Sequence, residues 1–284
     1  MGAFADEAGE SADEQVAALQ AAGIKRIDLR TVESHNITQL PLDTAEAVAA
    51  KLEQAGITVA YFGSPIGKID IADDFEIDMG KLEHLGQLRP IFGCNHVRLF
   101  SYYNRQGASA DQWREISLDR LGRLRDRAVE LGLVLVHENE RDIFGDRCSE
   151  VQVLAAELRD AVSFKLIFDF DNYHQSGDDV WDNWQKLQFV TDAFHLKDSD
   201  AEKRHVPIGQ GEGQVRRILE AALAQGWTGM LSLEPHLTHS GAVARTSVGG
   251  KTSKAYEKMT PPQCFQTAAA AAIELLSDLK APLM

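Results

Sequence analysis

Four times along this chain a run with helical apolar spacing closes on a glycine and passes at once into an apolar stretch. These junctions are Ala22-Gly23-Ile24, Ala55-Gly56-Ile57, Leu131-Gly132-Leu133 and Gln225-Gly226-Trp227. Glycine reaches the left-handed conformation that ends a helix at little steric cost. A helix that stops there and feeds a strand is the second half of a βαβ unit. The helical spacing is carried by Val16 and Leu19, by Ala45, Val48 and Leu52, by Leu121, Leu124 and Ala128, and by Val215, Ile218 and Leu219. Runs such as Leu133-Val134-Leu135-Val136 are apolar on both sides, as in a parallel sheet buried on both faces.

Eight strands are read from the pattern: Phe4–Glu7, Arg26–Arg30, Ile57–Phe62, His96–Phe100, Leu133–Glu138, Lys165–Phe170, Thr191–Leu196 and Met230–Glu234. Eight strands alternating with about as many helices predict an α/β chain closed into a (β/α)₈ TIM barrel. No Pro-, Gly- or Ser-rich linker divides it, so a single domain over 1–284 is expected. A doubly wound open sheet would need a phosphate-binding glycine loop after its first strand, and Phe4-Ala5-Asp6-Glu7-Ala8-Gly9 supplies none. Ser240–Lys254 reads as a long loop and Pro262–Leu279 as the closing helix.

The formal net charge is −14. A chain this acidic repels phosphate backbones and anionic lipid, so neither nucleic acid nor membrane is an expected partner. Cys94, Cys148 and Cys264 are widely spaced and make no C-x-x-C, which fits a reducing compartment. The acidic start Met1–Glu7 is unlike a signal or transit segment, and a cytoplasmic location is expected.

Active sites of such barrels lie at the C-terminal ends of the strands. Strand five ends His137-Glu138-Asn139-Glu140, strand six Phe168-Asp169-Phe170-Asp171-Asn172, strand seven Phe194-His195-Leu196-Lys197-Asp198 and strand eight Leu233-Glu234-Pro235-His236. Four successive strands thus end in a Glu, an Asp, a His and a Glu. A single carboxylate at a strand end is most often a helix cap or a solvated loop group. Four in succession, on strands about 4.8 Å apart and each following an apolar run, are better explained by a shared cation. Carboxylates with one imidazole make a hard, oxygen-rich site suited to Mn²⁺, Mg²⁺ or Co²⁺, with Zn²⁺ also compatible.

These four stretches resemble the motifs of the xylose isomerase-like barrel superfamily, and within it the sugar phosphate isomerase/epimerase group. The spacing along the chain fits, as does Pro207-Ile208-Gly209-Gln210-Gly211-Glu212-Gly213 after strand seven. The resemblance implies a divalent metal held by Glu138, Asp169, His195 and Glu234, with Glu138 and Glu234 also moving protons. Asp171 competes with Asp169 for the strand-six ligand. Asp169 is preferred because the family's pattern places Asn or His three residues after the ligand, where Asn172 stands. Alternation along a strand would nevertheless point Asp171 the same way.

The implied activity is a metal-dependent isomerase or epimerase of a sugar or sugar-like keto or polyol substrate. The metal would chelate a carbonyl and an adjacent hydroxyl and stabilise an enediolate, while carboxylates exchange the neighbouring C–H proton. The alternatives are a related keto-inositol or keto-sugar dehydratase, and a barrel that binds sugar or metal without turnover. An abasic-site endonuclease would need further His ligands that Asn172 and the residues after His195 do not supply. On the substrate side stand Asn172, Lys197, His205 and Glu7, with Arg30 near the pocket; Lys197 reads equally as a salt bridge with a barrel carboxylate, and His205 as a solvated loop residue. Arg98 reads as a structural ion pair, and His236 and His239 as supports behind the metal ligands. The Gly209–Gly213 run offers backbone N–H groups to a phosphate, or is only a turn before a helix. Specificity is expected from Gly63–Phe75, Ser101–Ser109 and Ser240–Lys254. Dimers are common in the superfamily, so a homodimer is a further expectation. Trp181 and Trp184, at helical spacing, read as packing residues.

Overall fold

The computed structural model describes residues 1–237 and 251–281. Eight parallel strands close into a barrel: β1 (Gly2–Ala3), β2 (Arg26–Leu29), β3 (Thr58–Gly63), β4 (His96–Leu99), β5 (Val134–Glu138), β6 (Phe164–Asp169), β7 (Ala193–Leu196) and β8 (Met230–Leu233). Each strand pairs with its sequence neighbours, and β1 closes the ring on β8 through Gly2↔Ser232 and Ala3↔Leu233. The TIM barrel expected from the sequence is thus the architecture of the described residues.

Around the strands lie α1 (Ala12–Ala22), α2 (Leu42–Gln54), α3 (Glu76–Phe92), α4 (Ala110–Leu131), α5 (Cys148–Glu157), α6 (Phe170–Gln175), α7 (Val180–Leu187), α8 (Val215–Ala224) and α9 (Pro261–Asp278). Local sequence sets their ends. Ser11 and Glu14 form a capping box at the start of α1, and Thr260 and Gln263 form one at α9. Gly23 and Gly132 close α1 and α4 at φ 69° and 70°.

Side-chain alternation gives the strands two faces. Ile27, Leu29, Leu135 and Phe194 belong to the main core, which continues into the helices. Tyr61, Val136, Ile167 and Ala193 form a separate cluster that fills the barrel interior. Two residues further along their strands, on the same inward face, come Glu138, Asp169 and His195.

Three expectations need correction. The first barrel strand is Gly2–Ala3, and Ala5–Glu7 is a short 3₁₀ turn; the pairing with β8 and β2 stops at Ala3, where β8 itself ends. Strand six ends at Asp169, and Phe170 already begins α6. Thr191 and Asp192 precede β7 rather than opening it. Most of the loop expected at Ser240–Lys254 lies outside the described residues; within it Lys251–Thr252 pairs with Arg204–Val206 as a short strand.

Candidate metal centre and active site

The ends of β5 and β6 are locked together by Asn139. Its Oδ1 accepts the Asp169 N–H at 2.8 Å, and its Nδ2 donates to the Asp169 carbonyl at 3.2 Å. Asp169 then caps α6, its Oδ1 accepting the Asn172 N–H at 2.8 Å. Only Oδ2 of Asp169 is left to face the barrel axis. His195 follows on β7, paired in register with Asp169 on one side and Ser232 on the other.

The four side chains meet. Glu138, Asp169, His195 and Glu234 each offer one ligand atom, all within 4.8 Å of one another and all buried. His195 Nδ1 lies 3.1 Å from Glu138 Oε1, 3.2 Å from Glu234 Oε2 and 3.9 Å from Asp169 Oδ2. Yet among the described residues His195 Nδ1 and Asp169 Oδ2 have no hydrogen-bond partner of good geometry. Buried polar atoms left this way call for a ligand. Three carboxylate oxygens and one imidazole nitrogen aimed at one point are the donor set a divalent cation takes, so the residues fit a metal.

Arginines hold the outer oxygens of the same carboxylates. Arg98 Nη1 bridges Glu138 Oε2 and Glu234 Oε1, each at 3.2 Å. Arg30 Nη1 adds a bond to Glu234 Oε1 at 2.7 Å, while its Nε and Nη2 grip both oxygens of Asp6 at 2.8 Å. Phe4 lies between the two guanidiniums, 4.8 and 4.9 Å from them. Burial works to raise the Glu138 pKa, but the charges of His195 and Arg98 outweigh it and bring it down to about 2. Glu234 is held low against the same burial by Lys197 and Arg98. His195 is pushed the other way, up to about 10, because the two glutamates overcome its burial.

The remaining expected residues take definite places. Lys197 Nζ lies 2.9 Å from Asp169 Oδ2 and 3.7 Å from Glu234 Oε2. Asn172 Nδ2 donates to Glu138 Oε1 at 3.3 Å and to the Asn139 carbonyl at 2.8 Å. Glu7 accepts from the His236 backbone N–H and contacts its Nδ1, both at 2.8 Å. His205 reaches Asp171 Oδ2 with Nδ1 at 3.2 Å and stands edge-on to His236. Asp171 is not in the cluster: it sits on α6, where strand alternation does not apply, and serves His205, Ser199 and Gln175. His239 lies outside the described residues. Trp184 is buried, and Trp181 carries the Arg217 guanidinium on its ring.

The glycine run after β7 does not present free N–H groups to a phosphate. Gly209 and Gly211 donate to Asp198 Oδ2 at 2.9 and 3.0 Å, and Gly213 to Oδ1 at 3.0 Å. A Cβ at Gly211 would stand 2.4 Å from Asp198 Oδ1, so only glycine permits the wrap. The nest is closed on the protein's own carboxylate.

Sequence reading missed Asn139 and undervalued Arg98, which holds both glutamates at once. The one available signal was that Arg98 stands between Val97 and Leu99, which belong to the core shared with the helices, and so points to the other face.

A model of the xylose isomerase-like TIM barrel family matches residues 16–252, and the chain belongs to that family. No curated protein sequence matches it. Among solved structures it is similar to IOLI protein with a binding zinc atom, at 14% identity over 98% of both chains and a TM-score of 0.73. It is similar to D-psicose 3-epimerase in the presence of D-fructose, at 14% identity over 98% of both chains and a TM-score of 0.72. It is also similar to the probable 3-DHS dehydratase AsbF from Bacillus anthracis, at 17% identity over 95% of this chain and 98% of that one, with a TM-score of 0.72. At these identities the likeness is one of fold. Among the described residues no helix is long and apolar enough to cross a membrane.

Proposed function

We propose that this protein is a divalent-metal-dependent isomerase or epimerase of a sugar or sugar-like keto or polyol substrate, with Glu138 and Glu234 as the proton-transfer groups. The observation that carries the reading is the division of labour within the two glutamates. Each turns one oxygen to the four-donor cluster and the other to Arg98. Glu138, Asp169, His195 and Glu234 would hold the ion, Mn²⁺, Mg²⁺ or Co²⁺ by hardness, with Zn²⁺ compatible. When bound, such an ion supplies Lewis-acid polarisation of a carbonyl and its neighbouring hydroxyl.

The chain's own residues do the rest. Arg98 acts on both glutamates, with His195 at Glu138 and Lys197 at Glu234, and keeps them ionised at neutral pH, as a base requires. One glutamate removes the proton beside the carbonyl and the other returns one. Return to the same carbon from the opposite face is epimerisation; return to the neighbouring carbon is aldose–ketose isomerisation. Asn172, Lys197, His205 and Glu7 line the substrate side, where Lys197 can donate to a substrate oxygen. The names of two structural neighbours, an epimerase and a dehydratase, support carboxylate chemistry on this scaffold. If the intermediate loses a β-hydroxyl instead of regaining a proton, the same site is a dehydratase.

The test is proton NMR in D₂O with Mn²⁺, Mg²⁺ or Co²⁺ across a panel of ketoses and cyclic polyol ketones. Loss of one substrate C–H signal to deuterium as an epimer or isomer accumulates is the expected result. A growing enone or dione absorbance would assign the dehydratase instead. No exchange and no product from any member would overturn both.

A further inference from the structure

The cations around the cluster are not equivalent. Arg98 and Arg30 touch only the outer oxygens, Glu138 Oε2 and Glu234 Oε1. Lys197 touches the inner ones. Its ammonium lies 2.9 Å from Asp169 Oδ2 and 3.7 Å from Glu234 Oε2, two of the four atoms that would ligate a metal. Among the described residues it is the one Lys or Arg in ion-pair range of an inner donor oxygen. Asp169 cannot offer its other oxygen in exchange, because Oδ1 is committed to the Asn172 N–H. Lysine and metal therefore draw on the same lone pairs.

The chemistry of the side chains points the same way. Arg30 is fixed by a two-point grip on Asp6 and cannot swing. A lysine is a compact charge on a flexible four-carbon stem. Two cations sharing one buried carboxylate oxygen repel strongly, because the surroundings screen poorly. Glu140, beyond the end of β5 and paired with Lys68 at 2.9 Å, is a further carboxylate whose charge acts on Lys197.

We propose that Lys197 is a built-in competitor of the metal: ammonium and divalent cation contend for Asp169 Oδ2, and metal binding moves Lys197 off that oxygen and frees its N–H groups for the substrate. The inference rests on the metal reading of the cluster. It makes the ion exchangeable rather than permanently sequestered, and it couples metal loading to the appearance of a substrate-binding donor. Lys197 acts here as a positioning residue whose place is set by the occupant of the cluster.

The experiment is a calorimetric titration of the full chain, stripped with EDTA, with Mn²⁺ alone as the probe at fixed pH and ionic strength. Lys197→Met is expected to bind Mn²⁺ at least about tenfold more tightly than the native protein, since the competing charge is gone. Lys197→Arg, which keeps the charge, is expected to bind no more tightly than native. The Mn²⁺-induced rise in Tm should likewise be larger for Lys197→Met. Native binding with Lys197→Met equal or weaker would overturn the proposal while leaving the metal reading intact. No Mn²⁺ binding by the folded native chain would overturn both. Should Lys197→Met not fold, Lys197→Gln takes its place; failure of both to fold even with Mn²⁺ would make Lys197 structural and also overturn it.

Discussion

Glu234 and Asp28 are both buried carboxylates on the inner face of the same barrel, one at its mouth and one a level below. Their acidities move in opposite directions. Glu234 is surrounded by Arg30, Arg98, Lys197 and His195, and its pKa falls well below the usual carboxylate range despite burial. Among the described residues Asp28 has neither oxygen in a well-directed hydrogen bond, although the Ser232 hydroxyl comes near. Burial drives its pKa up to about 6 against the pull of the His195 charge. Gly2 leaves the space Asp28 needs, since a Cβ there would lie 2.7 Å from its Oδ1. Burial is common to both residues; the placement of counter-charges separates them. At the mouth the fold gathers cations around Glu138 and Glu234, and both are held low. Below it, one carboxylate is left with no cation in contact among the described residues.

Substitutions at each level should break this contrast in different currencies. The largest effect belongs to Glu138→Gln, which keeps the shape but removes the proton-accepting oxygen. Exchange of substrate protons with D₂O is expected to slow by about 10²–10⁴-fold, and a variant exchanging at the native rate would show that Glu138 moves no proton. Next comes Arg98→Met, which leaves Glu138 and Glu234 facing each other with their bridge gone. The cost is expected to be about 3–5 kcal/mol, read as a lower urea midpoint; an unchanged midpoint would mean that Arg30 and Lys197 suffice.

The smallest effect, and of opposite sign, is expected for Asp28→Asn. The folded chain holds the Asp28 proton more tightly than the unfolded chain does. Below the unfolded pKa the residue therefore carries no penalty. As pH rises toward about 6 the charged form must be buried, and above that the penalty is complete. Asparagine never ionises. At pH 8 the variant should be more stable by up to about 3 kcal/mol, and near pH 4 the advantage should vanish. Urea midpoints at the two pH values decide the matter, and a gain independent of pH would refute this view of Asp28.

Much of the mouth was legible because it is local. The residues that end four successive strands are written in order, which places Glu138, Asp169, His195 and Glu234 at one end of the barrel. Helix ends at Gly23 and Gly132 were equally plain. What was not legible depends on distant partners. The strand at Gly2–Ala3 exists because β8 and β2 pair with it, not because its own two residues favour extension. The helix α3 contains Gly80, Gly86 and Pro90 and shows no clean signal; Leu82, Leu85 and Leu88, fully buried on one face, hold it by packing. Asp171 remained a competitor to Asp169 in the sequence because alternation was carried past the strand; the cap formed by Asp169 turns the chain helical at Phe170, one residue before. Arg98 could be seen to face inward, but that it spans two glutamates from opposite sides of the cluster follows only from barrel closure.

The convergence of four side chains on one cation is tested most directly by equilibrium dialysis of EDTA-stripped protein against Mn²⁺, Mg²⁺, Co²⁺ and Zn²⁺, with elemental analysis of the retained ion. One equivalent per chain is expected for at least one of these ions, and none for a folded Glu138→Gln/Asp169→Asn double variant. A native chain that retains no ion, or a double variant that retains a full equivalent, would contradict the assignment.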